Sequence, residues 1–324
     1  MSYQQWIPLR FFAAWLETHL TEASASDAAQ PLRLAIISEG LQAWPLYVAT
    51  GKRLFDKAGV HVELTLTGSS VTQLERLIDG GFDIGFQQSD HVVRAVERGS
   101  DLFIFMAQGY APDLSLVVAP GIKAFADLKG KVIAVDGART GYALLLRKLL
   151  AENGLGDGDY EIREFGGSRE RFDALTSGAA ASSLLNPPFD RNLFAAGFGS
   201  LGAINDFYPL YPGPIAATRR SWAKRNGKQL IAFIRGFSAG FAWLQDPANK
   251  AEAIQLLPAR LNISAEAASK AYDRYATRGM PQLTSDGLRQ VIDVVWEAEG
   301  LKSPQGAPGK YLDLSYQQRA ESAQ

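Results

Sequence analysis

The sequence predicts an α/β protein built from two similar units in tandem, followed by a nearly all-helical C-terminal third. Three observations lead there. Short apolar segments alternate with helical patterns from Pro31 onward. A helix ending in glycine, then a short strand, then a polar loop occurs twice, at 71–90 and again near 178–188. Beyond Pro214 the apolar residues take helical spacing. A length of 324 residues suits about two domains and buries about three quarters of the unfolded surface.

Each element has a local reason. Leu32, Leu34 and Ile36 alternate with small or polar residues and predict a strand, as do Val62, Leu64 and Leu66. Asp83–Phe86 is short and apolar, and Leu102–Met106 is a continuous apolar run, the pattern of a strand covered on both faces. Between them Val71, Leu74, Leu77 and Ile78 mark a helix, with Ser69-Ser70 as caps and Gly80-Gly81 as its stop. In the second unit, strands are expected at Ser115–Val118, Val132–Val135, Tyr160–Glu164 and Ser182–Leu185. Tyr142, Leu145, Leu146 and Leu149 form the helix face between the second and third of these, ending at Asn153-Gly154. A mainly parallel sheet follows from such alternation.

The C-terminal third carries three helical stripes. One runs from Leu230 through Phe233, Phe237 and Phe241 to Leu244 and ends at Asp246-Pro247. A second holds Ala268, Ala271, Tyr272 and Tyr275, capped by Ser264. The third holds Leu288, Val291, Ile292, Val295 and Trp296, capped near Thr284-Ser285 and stopped by Gly300. The Pro/Gly-rich tail after Ser303 reads as an extended arm, and Arg219, Arg220, Lys224, Arg225 and Lys228 around Trp222 as a solvated helix face. At the other end, residues 1–30 read as a leader with a possible degenerate signal segment. Trp6–Leu16 is apolar but broken by Arg10, and Ala23-Ser24-Ala25 has the small-x-small form of a cleavage site.

Composition removes several function classes. Lys and Arg total 33 against 34 Asp and Glu, so the basic footprint of a nucleic-acid binder is missing. The chain has no cysteine, which excludes disulfides, thiolate metal sites and cysteine nucleophiles. His19, His61 and His91 stand far apart, outside any ligand-spaced motif, and no metal or cofactor is expected. No nucleophile-elbow or phosphate-loop motif occurs, and no catalytic residue is assigned. Gly197-Phe198-Gly199-Ser200-Leu201-Gly202 matches the dinucleotide spacing. A helical stretch precedes it and an apolar strand follows, the reverse of what that motif needs.

Ligands of open α/β sheets bind at the carboxyl ends of strands, beside helix N-termini with free N–H groups. Four loops there are well equipped. The loop 38–45 offers Gln42 and Trp44, with Pro45 suited to the first helical turn. Gly68-Ser69-Ser70 offers Ser70. Gln87-Gln88-Ser89-Asp90 offers Gln88, Ser89 and Asp90. In the second unit Arg139, Thr140, Gly141 and Tyr142 form a candidate anion cradle at a helix start. For each Ser, Thr or Asp the competing role is plain helix capping. Asp90, if ionised, would repel an anion and would instead cap its helix or bind an amine or hydroxyl. Asn186, in Asn186-Pro187-Pro188, joins the candidates, and Trp44, Tyr110, Tyr142 and Phe189 could supply an aromatic wall.

Several segments together carry a family resemblance. Pro45-Leu46-Tyr47-Val48-Ala49, Gly51 and Leu54–Leu64 resemble the "PLYVAxxxGxFxxxGLDVEL" opening of the sulfonate, taurine and thiamine-pyrimidine-precursor binding proteins, the NMT1/THI5-like group. Gly80-Gly81-Phe82-Asp83-Ile84-Gly85 is similar to their "GxxDIG" and Asp127–Val135 to their "DLKGKxIAV". Leu144–Leu150 with Gly154-Leu155 fits the next helix, and Leu185–Asp190 resembles their "xxPPFD". The likeness runs over about residues 32–245, in family order. It implies a type II periplasmic binding protein fold: two α/β lobes joined by a two-strand hinge, with the C-terminal helices packed on lobe 1. Lobe 1 would be 31–108 plus 215–324, and lobe 2 would be 111–213. The chain would cross near Gly109-Tyr110 and near Pro212-Gly213-Pro214. It further implies a monomeric solute-binding protein of an ABC import system, outside the cytoplasm, handing its ligand to a transporter permease. The ligand would be a small organic anion, sulfonate-, carboxylate- or pyrimidine-like, captured between the lobes by hinge closure. The alternative is a non-cysteine decarboxylase or lyase on the same fold, acting on an aromatic acid. The family's two cysteine-dependent enzyme types are excluded by composition.

Overall fold

A computed structural model describes residues 30–261, 263–276 and 278–322. Apart from Gln30, the leader lies outside the described residues. The first unit runs β1 (Leu32–Ile36), α1 (Trp44–Gly51), α2 (Leu54–Ala58), β2 (Val62–Leu66), α3 (Ser70–Asp79), β3 (Ile84–Gln87), α4 (Ser89–Glu97) and β4 (Leu102–Ala107). The second runs β5 (Ser115–Val118), β6 (Val132–Val135), α5 (Gly141–Glu152), β7 (Glu161–Glu164), α6 (Ser168–Thr176), β8 (Ser182–Leu185), α7 (Phe189–Ala195), β9 (Gly199–Ala203) and α8 (Ile204–Phe207). The C-terminal part holds β10 (Ile215–Arg219), α9 (Arg220–Arg225), α10 (Gly227–Gln245), α11 (Lys250–Leu256), α12 (Pro258–Leu261), α13 (Ala265–Ala276), α14 (Ser285–Glu299) and α15 (Ser315–Glu321).

These strands form two five-stranded sheets, in the orders β2-β1-β3-β10-β4 and β7-β6-β8-β5-β9. Within each sheet the βαβ crossovers give parallel pairs, as expected. Each sheet also contains one antiparallel strand, which the alternation did not predict. β5 runs against β8 and β9, and β10 runs against β3 and β4. The reason is topological: β5 carries the chain into lobe 2 and β10 brings it back, with no crossover helix to reverse direction. β10 also corrects the reading of everything past Pro214 as helical. Its five residues are buried and Ala-rich, so they show no alternation to read.

The two passages between lobes lie side by side. Gln108 N and Gly109 N both donate to Pro214 O, at 2.8 and 3.0 Å. A Cβ on Gly213 would stand 1.7 Å from Tyr110 O, so only glycine fits where the passages touch.

The helix signals place as the sequence expects. Ser69 caps α3 by accepting from Thr72 N at 3.3 Å, and Thr284 caps α14 by accepting from Gly287 N at 3.0 Å. Gly80 and Gly300 end those helices in the left-handed conformation. Helix α10 packs on α1 and α2 against one face of the first sheet. Phe233 stacks on Phe55 at 5.3 Å, and Phe237 meets Phe86 edge-on at 5.6 Å. Helices α4 and α14 pack together on the opposite side, so every residue of β4 is buried.

Helix α14 packs on α4 of lobe 1 and also reaches α5 of lobe 2 across the junction. Two local expectations change. The tail is more than an arm: Ile104 N donates to Tyr311 O at 2.8 Å, and the chain then forms α15 against α10. Arg219 is buried, donating to the carbonyls of Leu77 and Phe82 at 2.6 and 3.1 Å, so the basic face begins only at Arg220.

Candidate functional site

The carboxyl ends of β1 and β3 in one lobe and of β6 and β8 in the other converge where the lobes meet. On the lobe 1 side, Gln87, Ser89 and Asp90 are almost fully buried. His91 Nδ1 lies 2.9 Å from Gln87 Oε1 and, as the only possible donor of the two, carries the proton. Gln87 Nε2 is left as a buried donor with no partner, and Ser89 Oγ and Gln88 Oε1 are also unpartnered. One strand over, Trp44 is wholly buried against Tyr272 and Tyr275 rather than facing the crevice, and its Nε1 lacks a partner too. Leaving such a group unpaired costs about 1–3 kcal/mol, so the three where β3 meets α4 are a demanding arrangement.

The other lobe 1 candidates are more ordinary. Gln42 is exposed, and its carbonyl accepts from the Gln108 side chain. Ser70 opens α3, half-buried, beside the Ser69 cap. Tyr110 is a packing residue: its ring sits on Phe241 and Tyr275, and its hydroxyl donates to Gly279 O at 2.8 Å. Burial raises the pKa of that hydroxyl.

On the lobe 2 side the anion cradle is not available as expected. Thr140 takes the capping role, accepting from Ala143 N and donating to Asp136 Oδ1 at 2.7 Å. Gly141 is covered by the chain's own Asp90, whose Oδ1 would stand 2.1 Å from a Cβ there. That carboxylate, held by Arg94 at 2.5 Å, occupies the positive end of α5, an arrangement worth about 0.3–1 kcal/mol. Arg139 pairs with Glu299 of α14 at 3.1 Å, so its guanidinium already has a carboxylate partner within the chain. Its side chain is 74% exposed. Tyr142 does face across the junction, where the Gln88 carboxamide donates to its hydroxyl; burial raises its pKa. Asn186 Oδ1 accepts from Ser168 Oγ at 2.6 Å, fixing that loop. Phe189 packs on Phe172 under Arg169.

The charge that local reading missed is Arg171. It is 8% exposed, and no carboxylate among the described residues pairs with it. Instead its Nε donates to Gly166 O at 3.1 Å, Nη2 to Ser168 Oγ at 3.2 Å, and Nη1 to Leu184 O. Burial lowers its pKa, while Asp136 and Glu170 oppose that at longer range. Arg171 thus places a buried positive charge behind Ser168, which in turn bonds Asn186. A legible signal existed: Arg171 falls on the same helical stripe as Ala174 and Leu175.

A groove of about 400 Å³ lies elsewhere, between α5 and α14. Its charged residues pair with one another, Arg147 with Asp157 at 2.8 Å and Lys148 with Glu297 at 3.0 Å. The dinucleotide-like glycines run from the turn after α7, at Gly197, into β9, at Gly199 and Gly202, with the helix before the strand and not after it.

Two α/β lobes joined by paired crossings, each sheet with one returning strand, can be compared with known proteins. The model of the NMT1/THI5-like family matches residues 41–251, well over half of the chain. The chain belongs to the NMT1/THI5-like family. No curated protein sequence matches it. Among solved structures, the periplasmic aliphatic sulphonate binding protein SsuA from Escherichia coli is similar at a TM-score of 0.72 and 19% identity, over 88% of this chain and 92% of that one. The periplasmic nitrate-binding protein NrtA from Synechocystis PCC 6803 aligns at 0.70 and 16% identity, over 91% and 89%. A DszB variant in complex with biphenyl-2-sulfinic acid aligns at 0.65 and 14%, over 90% and 99%. At these identities the likeness establishes the shared type II periplasmic binding protein fold.

Proposed function

We propose that this chain is the solute-binding component of an ABC import system, acting outside the cytoplasm. It captures a small organic acid between its lobes and presents the closed form to a transporter permease. The observation that carries this reading is the set of unpartnered buried groups where β3 meets α4: Gln87 Nε2, Gln88 Oε1 and Ser89 Oγ. Two can donate, so the complementary ligand presents acceptor oxygens, as a sulfonate or carboxylate does. Arg171 supplies the positive field opposite. Asp90 on Gly141 narrows the choice to ligands with one acidic end, because a second anionic group would meet that carboxylate. Binding requires only that the ligand contact both lobes better when they are closed.

The test is a calorimetric and thermal-shift titration with alkyl and aryl sulfonates, carboxylates and pyrimidines. One of them should bind 1:1 and be recovered unchanged. At 100 times its dissociation constant it should stabilise the fold by about 2.7 kcal/mol. Ser89→Ala should weaken it. Consumption of the compound on long incubation would instead favour an enzyme.

A further inference from the structure

Glu299 closes α14, one residue before the left-handed Gly300. Its carboxylate gathers three guanidinium groups: Arg139 at 3.1 Å, Arg98 at 3.2 Å and Arg94 at 3.7 Å. Arg94 stands on α4 in lobe 1 and Arg98 caps its end, whereas Arg139 stands before α5 in lobe 2. Arg94 tightens the same junction, donating through Nη1 to Arg139 O at 2.9 Å and through Nη2 to Asp90 at 2.5 Å. The helix beneath bridges in the same way: Val291 and Val295 share one apolar core with Val92 of α4 and Leu145 of α5. Burial alone would raise the Glu299 pKa, but the hydrogen bond from Arg139 and the three positive charges outweigh it and lower the pKa. The Glu299 side chain is 16% exposed and that of Arg94 13%, whereas Arg139 reaches the carboxylate from a side chain that is 74% exposed, so that pair is open to screening by salt.

We propose that Glu299 is an interlobe clasp, which fastens lobe 2 to the C-terminal helix through Arg139 and holds the cleft closed. This rests on the binding reading above and assigns what sets its open–closed balance. The clasp raises affinity without touching the ligand, because the ligand selects the closed form. Arg139 thereby acts on binding through Glu299, as a positioning residue.

The chain has no cysteine, so Lys57→Cys in lobe 1 and Thr176→Cys in lobe 2, both exposed, give a clean donor–acceptor pair for energy transfer. The measurement uses the full, ligand-free chain. Glu299→Gln and Arg139→Ala should each lengthen the mean interlobe distance, and the double variant should lengthen it no further than either alone. Raising sodium chloride from about 0.05 to about 0.5 M should lengthen the distance in the parent and move Glu299→Gln less, since among the described residues only the Lys148–Glu297 ion pair still joins α5 to α14 there. An unchanged distance in both variants overturns the clasp, as does an effect of Arg139→Ala that is independent of Glu299. Arg139→Ala, at an exposed position, keeps the test open if Glu299→Gln folds poorly. No ligand is needed, so a failure of the binding reading would appear separately, as the absence of any saturable ligand.

Discussion

Replacing Gly213 by alanine tests the paired crossing directly. The new Cβ would sit 1.7 Å from Tyr110 O and 2.5 Å from its carbonyl carbon, both backbone atoms that no side-chain rotation can move. The two passages would have to part by more than an ångström. That stretches the bonds from Gln108 N and Gly109 N to Pro214 O past hydrogen-bonding range. Two backbone hydrogen bonds are worth about 1 kcal/mol each, and overpacking adds roughly 1–3 kcal/mol. The expected loss is therefore about 3–5 kcal/mol, or a drop of about 4–7 °C in melting temperature for a chain this long. The control is Gly309→Ala, where nothing lies within 4 Å of the added Cβ and little change is expected. Differential scanning calorimetry on both variants is the assay. A Gly213→Ala protein melting within about 2 °C of the parent would refute the side-by-side crossing, since nothing else in the argument could absorb such a clash.

Two further outcomes follow from the same geometry. Arg171→Gln should lower the urea midpoint by the equivalent of about 2–4 kcal/mol, because Leu184 O and Gly166 O lose their buried donor. Arg171→Lys should recover little of it, since an ammonium cannot reproduce the fork. Acid should destabilise the fold. Burial acts to raise Glu97, Glu152 and Glu299, but Lys310 and Tyr311, Tyr208 and Lys148, and Arg139 outweigh it and hold the three below their ordinary values. Such groups contribute stability that is fully present above the ordinary carboxylate range and is lost as pH falls through it. The urea midpoint should thus hold from pH 7 to about 5.5 and decline below about pH 4.5; a rise on acidification would contradict the pairing.

Local pattern was enough for much of this fold. The strands Ser115–Val118, Val132–Val135 and Ser182–Leu185, the caps Ser69 and Thr284, and the glycine stops Gly80 and Gly300 all depend on neighbours within a few residues. The ordered run of family motifs identified the architecture, and the missing cysteine removed a whole chemistry. The loop Gln87–Asp90 was also legible as a place for a ligand, because a strand end beside a helix start is a local feature.

What remained hidden was which distant groups meet. Arg139 stood beside a helix start in sequence and looked like an anion ligand, yet Glu299, 160 residues away, claims it. Asp90 and Gly141 touch only because two lobes close on one another. β10 is a strand because β3 and β4 flank it, not because of its own residues. Arg171 carries its charge inward because backbone carbonyls from a neighbouring strand receive it. Side-chain periodicity reports which face a residue takes on its own element. Charge pairing, strand direction and the filling of a helix end depend on what arrives from elsewhere in the chain, and no local spacing encodes that.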